Sequence, residues 1–316
     1  MNSLLDPAIL FFVFGIFAGL VKSNLVIPEQ ISKFLSLYLL MALGIKGGVA
    51  LSSSGFASEI VFVICIGLFL ALAIPGISYL ILKRFLNGYD SAAVAATYGS
   101  VSAVTFVTAT QYLNTVGIEF SGVMAAVMAL MESPAIIMAV ALAAMHRMSD
   151  KLSIKSILHE SFTDGAHLLL LAALLIGFTT GDAGMAVMKP FTGDLFKGML
   201  AFFLLDMGLK VAERIPDLKG KSPLLLGYSI VAPLLHSILA LTLCTILGVA
   251  LGNTILLMVL AASASYIAVP AVVKHAIPEA NPSVYFGLSL GLTFPFNVLV
   301  GIPLYSQIAI EANKIF

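Results

Sequence analysis

Five hydroxyl side chains lie in two short apolar stretches that are far apart in the chain. Ser100, Ser102 and Thr105 belong to the first stretch, and Ser263 and Ser265 belong to the second. Serine and threonine hydroxyls donate and accept hydrogen bonds without carrying charge, so a group of them can bind a small ion or polar solute. The sequence contains no nucleophile–base arrangement, phosphate-binding glycine loop or metal-ligand cluster. The pattern therefore predicts a binding site and not an enzyme active site.

The acidic residue Glu132 lies inside a long apolar segment, with about a dozen apolar or small residues on either side. An uncompensated acid near the centre of a bilayer costs at least ~2.5 kcal/mol, so Glu132 must face a cavity, a cation or a partner, or be protonated. We interpret it as a residue for cation coordination or proton coupling. Asn297 follows Pro295 by two residues. It can either bind the same cation or satisfy the backbone carbonyl that the proline leaves unpaired.

Three further charged residues lie within apolar segments. Asp206 and Lys210 are four residues apart on one face of a helix, and this spacing predicts an ion pair with a structural role. Lys46 lies near the end of its segment, from which its long side chain can extend to the membrane surface. Both arrangements explain the charge without a ligand.

The elements that carry these residues must lie in a membrane. Hydrophobic residues make up 60% of the 316-residue chain and charged residues 10%, whereas soluble domains carry about 25% charged residues. Too few charges remain to coat a globule in water, so the lipid bilayer is the expected solvent. The formal net charge is zero and gives no support to a nucleic-acid partner.

Ten apolar runs are long enough to cross the bilayer, or to cross half of it where they are broken. They span 7–21, 31–51, 58–82, 90–112, 119–145, 164–180, 193–212, 223–251, 253–273 and 282–310. With the N-terminus outside, eleven Lys and Arg residues fall on the cytoplasmic side and only Lys189, Lys197 and Lys314 fall outside. Cytoplasmic loops are enriched in these residues, so both termini are expected outside.

The two halves of the chain carry similar motifs in the same order. Gly44-Ile-Lys46 matches Gly208-Leu-Lys210, Ser100-Val-Ser102 matches Ser263-Ala-Ser265, and Pro134 matches Pro295, at offsets of 161 to 164 residues. The pattern predicts five-helix repeats at 1–145 and 164–316, joined by a cytoplasmic linker at 146–163. Five is an odd number of crossings, so the second repeat is inverted, as in many alternating-access transporters. The linker is either a solvated connector or a docking surface for a cytoplasmic regulator.

Segments four and nine are predicted to be broken helices, because the first contains Gly99 and the second contains Pro270. A break is tolerated inside protein or beside water, and two facing breaks present half-helix N-termini to a small anion. The alternative is that the small residues only allow close helix packing. The matched positions favour a site whose predicted substrate-binding residues are Gly99, Ser100, Ser102, Ala103, Thr105, Ser263, Ala264, Ser265 and Tyr266. The predicted cation-binding residues are Glu132, Asn297 and Ser265.

These motifs resemble the sodium-dependent bicarbonate permeases best known from cyanobacteria, and the resemblance covers essentially the whole chain. The matching motifs are Val26-Ile-Pro-Glu-Gln-Ile-Ser32, Leu43-Gly-Ile-Lys-Gly-Gly48, Gly99-Ser-Val-Ser102, Met131-Glu-Ser-Pro134, Ala262-Ser-Ala-Ser265 and Ile277-Pro-Glu-Ala-Asn-Pro-Ser283. The resemblance implies inverted five-helix repeats, a core domain that holds the broken helices, and a gate domain. It also implies Na⁺-coupled anion uptake with no further cofactor, a homotrimer, and inhibition by a small PII-like signalling protein that docks from the cytoplasm.

This chain departs from the family pattern at several positions. The stretch Gly99-Ser-Val-Ser-Ala-Val-Thr105 lacks one glycine and one serine of the family motif G-x-V-S-G-S-T, and Tyr266 stands where the family has an acidic residue. A phenol is a poor Na⁺ ligand beside a carboxylate, so one cation site is expected to be weakened or lost. Glu132 occupies the place of a family aspartate. The linker is shorter than in the cyanobacterial proteins.

The sequence thus predicts an all-α transporter of the bacterial inner membrane that takes up bicarbonate or a similar small anion with Na⁺ by alternating access. A proton-coupled or Na⁺-independent transporter of another small anion is the first alternative, and Tyr266 favours it. A membrane sensor that binds the anion without moving it is the second. Uptake measured with and without Na⁺ distinguishes the first alternative from Na⁺-coupled uptake. Binding of the anion without flux would identify the second alternative.

Overall fold

The computed structural model describes residues 6–54, 58–144 and 165–315, and these form helices joined by short connections. In chain order the helices are α1 (Pro7–Leu20), α2 (Glu29–Ser54), α3 (Ser58–Leu82), α4 (Gly88–Gly99), α5 (Ala103–Val116), α6 (Val123–Ala144), α7 (Gly165–Lys189), α8 (Phe196–Arg214), α9 (Pro223–Ile246), α10 (Leu251–Ala262), α11 (Ala268–Ala276) and α12 (Pro282–Ile315). The last of these contains π-helical turns at Ser289–Thr293 and Asn297–Gly301. The predicted linker at 146–163 lies outside the described residues.

Within the described ranges, six helical stretches are long and apolar enough to cross a membrane by length and composition. They are Glu29–Ser53, Glu59–Leu82, Gly88–Val116, Leu168–Asp194, Pro223–Ile246 and Pro282–Ile315. Shorter apolar helices lie at Pro7–Leu20, Val123–Glu132 and Leu251–Ala262. The prediction of an all-α membrane protein is confirmed, while the arrangement as ten helices in two inverted repeats stays a prediction.

Polar residues followed by proline set the start of three helices. The side chains of Asp6, Ser222 and Asn281 accept hydrogen bonds from the backbone two residues further on, at 2.9, 3.3 and 3.0 Å. Each cap satisfies one N–H that has no partner inside its helix, and the proline that follows each cap lacks an N–H. The local sequence therefore determines where α1, α9 and α12 begin.

Both predicted broken helices are interrupted. Ser100 follows α4 in an extended conformation (φ −94°, ψ 175°), and Ser263 follows α10 in a similar one (φ −79°, ψ 164°). The prediction that Pro270 breaks the ninth segment is wrong in position, because Pro270 lies in the first turn of α11. A proline is tolerated there because the first N–H groups of a helix have no partner inside it.

The predicted sixth segment, 164–180, is longer than expected, because α7 continues to Lys189. Gly181 bends the helix, with φ 53° and ψ −146°. Glycine adopts positive φ at little cost, so the chain can kink here and resume the helix.

Four helices form one group, in which α1 packs against α8 and α2 packs against α7. Glycines bring the backbones close together. A Cβ added to Gly208 would lie 2.3 Å from the carbonyl oxygen of Phe12, and one added to Gly44 would lie 2.7 Å from that of Leu170. The glycines of the two repeated Gly-x-Lys motifs therefore make the same kind of helix contact. We call α1, α2, α7 and α8 the four-helix group.

The remaining helices, α3 to α6 and α9 to α12, form a second group that contains both breaks. In it α3 packs on α4 and α6, and α10 packs on α5, α9 and α12. We call this set the crossed-helix group. The two groups meet where α2 and α7 contact α6. The cavities described below lie along this boundary.

Candidate functional site

The two breaks are joined to each other by hydrogen bonds that backbone N–H groups donate. The Ser102 N–H donates to Ser263 Oγ at 3.0 Å, and the Ser265 N–H donates to the Thr97 carbonyl oxygen at 2.8 Å. Backbone groups at a helix end have no partner within the helix, so each break satisfies groups of the other. The two interruptions are consequently held at one place in the crossed-helix group.

Serine side chains also begin the half-helices that leave the breaks. Ser102 Oγ accepts the Thr105 N–H at 3.2 Å and the Thr105 hydroxyl at 2.9 Å. Ser265 Oγ accepts the Val269 N–H at 3.2 Å at the start of α11. A hydroxyl oxygen has two lone pairs and one hydrogen. The two hydrogen bonds from Thr105 use both lone pairs of Ser102 Oγ, so the Ser102 hydroxyl can otherwise only donate.

The equivalent serines Ser100 and Ser263 differ in their surroundings. Ser263 Oγ donates to the Leu260 carbonyl oxygen at 2.8 Å, in addition to accepting from Ser102. Ser100 Oγ is buried and has no hydrogen-bond partner among the described residues. Gly99 beside it packs against Pro75, since an added Cβ would lie 2.2 Å from Pro75 Cγ. The two breaks are therefore equivalent in position but not in hydrogen bonding.

A cavity of about 160 Å³ lies between the helix groups. The predicted site residues that line it are Ser102, Ala103, Glu132, Ser265 and Tyr266. Across the cavity from them, α2 contributes Ser36 and Leu40, and α7 contributes Ala166 and Leu170. We call this space the serine–glutamate cavity. The expectation that Glu132 faces a cavity agrees with the structure, whereas its role toward a cation stays a prediction.

Tyr266 is held in this wall by its neighbours. Its ring packs on Phe294 with centroids 5.1 Å apart, and its hydroxyl donates to Met207 Sδ at 3.7 Å. The phenol also interacts with the Ser102 side chain. The residue that replaces the family acid is thus packed as an aromatic side chain at the edge of the cavity.

The other predicted site residues lie outside this lining. Gly99, Ser100, Thr105, Ser263 and Ala264 are buried behind it at the two breaks. Their contacts shape the breaks, and the structure gives them no place in the cavity wall.

Asn297 is also separated from Glu132 and is occupied by other contacts. Its Nδ2 donates to the Ala262 carbonyl oxygen at 2.8 Å, and its Oδ1 accepts the Tyr305 hydroxyl at 2.8 Å. The carbonyl that it satisfies belongs to the end of α10, and not to the residue that Pro295 leaves unpaired. Asn297 thus holds a backbone carbonyl other than the predicted one, and its role as a cation ligand stays a prediction.

The predicted ion pair of Asp206 and Lys210 is confirmed, with Nζ and Oδ2 2.8 Å apart. A third residue belongs to this pair and was not predicted from the sequence. Ser32 Oγ donates to the same Asp206 oxygen at 2.5 Å. Lys46 has a different environment from the predicted one. Its ammonium lies 4.1 Å from the centroid of the Phe196 ring, in the wall of a second cavity.

Six helical stretches of membrane-spanning length and composition in the described residues indicate a multi-pass helical membrane protein. The family model of the Na⁺-dependent bicarbonate transporter superfamily matches residues 7–310. The chain therefore belongs to this superfamily of transporters, and the resemblance stated from the motifs is confirmed. No curated protein matches the chain.

Proposed function

We propose that this protein takes up bicarbonate, or a similar small anion, together with Na⁺ by alternating access. The observation that carries the proposal is the convergence of Ser102, Ser265 and Glu132 on one cavity of about 160 Å³. One water molecule needs about 10–15 Å³ of such space, so a small anion with a few water molecules fits this volume. Membership in the superfamily supports the same class of substrate.

The start of α5 supplies the features that favour an anion. Ala103 and Val104 line the cavity and are the first residues of α5, where N–H groups have no partner inside the helix. A helix N-terminus carries a partial positive charge. An anion in the cavity would accept hydrogen bonds from this end of α5.

Glu132 supplies the feature that favours a cation. Among the described residues that line the cavity it is the one carboxylate, and the Ser265 hydroxyl lines the same space. Hard cations are bound by oxygen ligands, and a carboxylate supplies the charge that attracts Na⁺. Na⁺ is thus proposed as a co-substrate that shares the cavity with the anion and reduces the repulsion between the anion and Glu132.

Two equivalent contacts support the inverted repeat on which alternating access rests. Lys46 of α2 contacts Phe196 of α8, and Lys210 of α8 contacts Ser32 of α2. Both the lysines and their partners are offset by 164 residues, which is the relation expected if a two-fold axis exchanges the two repeats. The cavity lies between the helix groups, and a relative movement of the groups would expose it to one side and then to the other.

The setting of the protein is proposed from the family resemblance. We place it in the bacterial inner membrane with both termini outside, as a homotrimer. The linker at 146–163 would then be cytoplasmic and would be the docking site of a PII-like regulator.

Proton coupling is the second candidate, and Tyr266 favours it. Among the described residues that line the cavity Glu132 is the one carboxylate, so its protonation alone would remove the negative charge of the lining. A site with the second acidic residue of the family pattern would attract cations more strongly. The transported ion would then be a proton, and Na⁺ would be dispensable.

Uptake of radiolabelled bicarbonate into proteoliposomes tests the proposal. An inward Na⁺ gradient is compared with equal K⁺ and with equal choline at fixed pH. We expect uptake above protein-free liposomes that requires Na⁺. Uptake that follows an imposed proton gradient without Na⁺ would favour the second candidate. Binding of bicarbonate with no flux, in folded and inserted protein, would identify a sensor.

A further inference from the structure

A second cavity, of about 600 Å³, lies along the same boundary between the helix groups. Lys46 of α2 and Phe196 of α8 line it on one side. Phe106 and Asn114 of α5, with the connection at 117–122, line it on the other side. We call this space the lysine cavity. It is larger than the serine–glutamate cavity, and the function proposed above does not use it.

Lys46 brings a positive charge into this wall and has no carboxylate partner among the described residues. The residue is half-buried, and its ammonium lies over the Phe196 ring. Within the described part of the chain, the salt bridges involve other cations, namely Lys210, Arg214 and Lys314. A positive charge in a membrane protein is costly unless it is paired or faces water. An anion that enters the cavity would provide the missing partner.

The described residues that line this cavity carry two charges, on Lys46 and on Glu119. Glu119 lies in the lining and is exposed at the rim. Lys197 is also exposed and acts on Lys46 as a like charge. Lys197 lies outside the lining, so the described lining holds one half-buried cation, Lys46, and one exposed carboxylate, Glu119. The Asn114 amide, which also lies in the lining, can donate a hydrogen bond to a ligand.

The equivalent lysine in the other half shows what a structural role looks like here. Lys210 is neutralised by Asp206 at 2.8 Å and contacts Ser32. At the equivalent positions around Lys46, offset by 164 residues, stand Ala42 and Phe196. At these two positions Lys46 therefore has neither the carboxylate nor the hydroxyl that Lys210 contacts.

The lysine cavity and the serine–glutamate cavity share one face of α2. Ser36 and Leu40 line the serine–glutamate cavity, and Leu43 and Lys46 line the lysine cavity. These residues are three or four apart, so they form one stripe along the helix. Six residues separate Leu40 from Lys46, which corresponds to a rise of about 9 Å. An anion held by Lys46 is therefore a short step from the proposed substrate site.

We propose that Lys46 is a recruitment site, which binds the transported anion in the lysine cavity before it passes to the serine–glutamate cavity. The ligand class is a small inorganic or carboxylate monoanion. The inference rests on the proposed function, because it names the place where the substrate of that function first binds. It assigns a binding role to a residue whose position near a segment end is otherwise explained by a side chain that extends to the membrane surface.

Transport kinetics give the first test, with Lys46→Gln, Lys46→Arg and the exposed control Lys189→Gln. Removal of a charge from an anion contact predicts that Lys46→Gln raises KM for bicarbonate about tenfold and leaves kcat within about twofold. Lys46→Arg and Lys189→Gln should both remain close to the native protein. If the native protein takes up bicarbonate and Lys46→Gln has an unchanged KM, the inference is wrong while the proposed function stands.

Chemical modification gives two further tests, one read from uptake and one read from the labelling rate, which does not depend on transport. Lys46→Cys is made in protein in which Cys65 and Cys244 are replaced by Ala, so that the introduced thiol is the one target. A methanethiosulfonate reagent carrying an ammonium group should restore uptake, and one carrying a sulfonate should not.

The labelling rate is then measured at Ala50→Cys, a lining residue about one helical turn from Lys46, in the same cysteine-free background with Lys46 intact. Bicarbonate, nitrate or acetate is compared with equal gluconate, a larger anion. Slower labelling in any of the small anions supports the site, even where bicarbonate uptake is absent and the proposed function has failed. Equal labelling rates in all four anions would overturn the recruitment site, whether or not the protein transports bicarbonate.

Discussion

The backbone N–H of Ser102 donates to the side-chain oxygen of Ser263 at 3.0 Å and joins the two broken helices across 161 residues of sequence. The equivalent bond in the other direction would run from the Ser265 N–H to Ser100 Oγ. The Ser265 N–H instead donates to the Thr97 carbonyl oxygen, and Ser100 Oγ is left without a partner among the described residues. One serine therefore stabilises the junction of the breaks, and its equivalent does not.

This difference predicts unequal effects of the same substitution. Ser263→Ala leaves the buried Ser102 N–H unpaired and should lower the free energy of unfolding by about 1–3 kcal/mol. Ser100→Ala removes a hydroxyl that has no partner and should leave stability unchanged or slightly higher. Thermal unfolding in detergent, followed by the loss of the monodisperse peak in size-exclusion chromatography, measures both variants. Equal destabilisation by the two substitutions would contradict the role of Ser263.

Asn297 allows a test that separates a backbone contact from a cation ligand. Asn297→Asp cannot donate to the Ala262 carbonyl oxygen and places two oxygens against each other, so it should destabilise the protein by about 2 kcal/mol or more. The matched control is Asn313→Asp, an exposed asparagine of the same helix α12. A cation ligand would tolerate the carboxylate. A stable Asn297→Asp protein with equal or higher apparent Na⁺ affinity for uptake would therefore restore Asn297 to the cation site.

The close packing of α1 on α8 predicts a strong effect at one glycine and none at another. Gly208→Ala would bring its Cβ to 2.3 Å from the Phe12 carbonyl oxygen, whereas a Cβ at Gly198 meets nothing within 4 Å. Gly208→Ala should cost about 1–3 kcal/mol through backbone displacement. Gly198→Ala, also in α8, should be neutral or stabilise by about 0.5–1 kcal/mol. Unfolding temperatures of the two proteins decide this, and equal values would contradict the packing.

The features that could be predicted from sequence depend on residues close together in the chain. Apolar runs indicate the helices, Gly99 and its hydroxyl neighbours indicate a break, and the four-residue spacing indicates the pair of Asp206 and Lys210. An acid within an apolar segment requires a cavity, a cation or a partner, and Glu132 lines the serine–glutamate cavity. Each of these inferences uses the chemistry of one segment.

The features that were missed depend on which distant segments meet. Asn297 reaches the end of α10, 35 residues away in the chain, and Ser32 reaches Asp206, 174 residues away. Lys46 lies over Phe196 because α2 and α8 are neighbours, which its own segment does not indicate. The break in the ninth segment precedes Pro270 because Ser263 and Ser265 are paired with the other break. A local pattern does not specify such partners.

The dependence of bicarbonate uptake on Na⁺ concentration in the native protein, Glu132→Gln and the exposed control Glu311→Gln tests the central proposal most directly. Glutamine keeps the size of Glu132 and removes the charge that would attract Na⁺. We expect native uptake to rise with Na⁺ concentration and Glu311→Gln to match the native protein. In Glu132→Gln the Na⁺-dependent part of the uptake rate should fall at least about tenfold. Folded Glu132→Gln protein with native Na⁺-stimulated uptake would contradict the assignment of the cation to the serine–glutamate cavity.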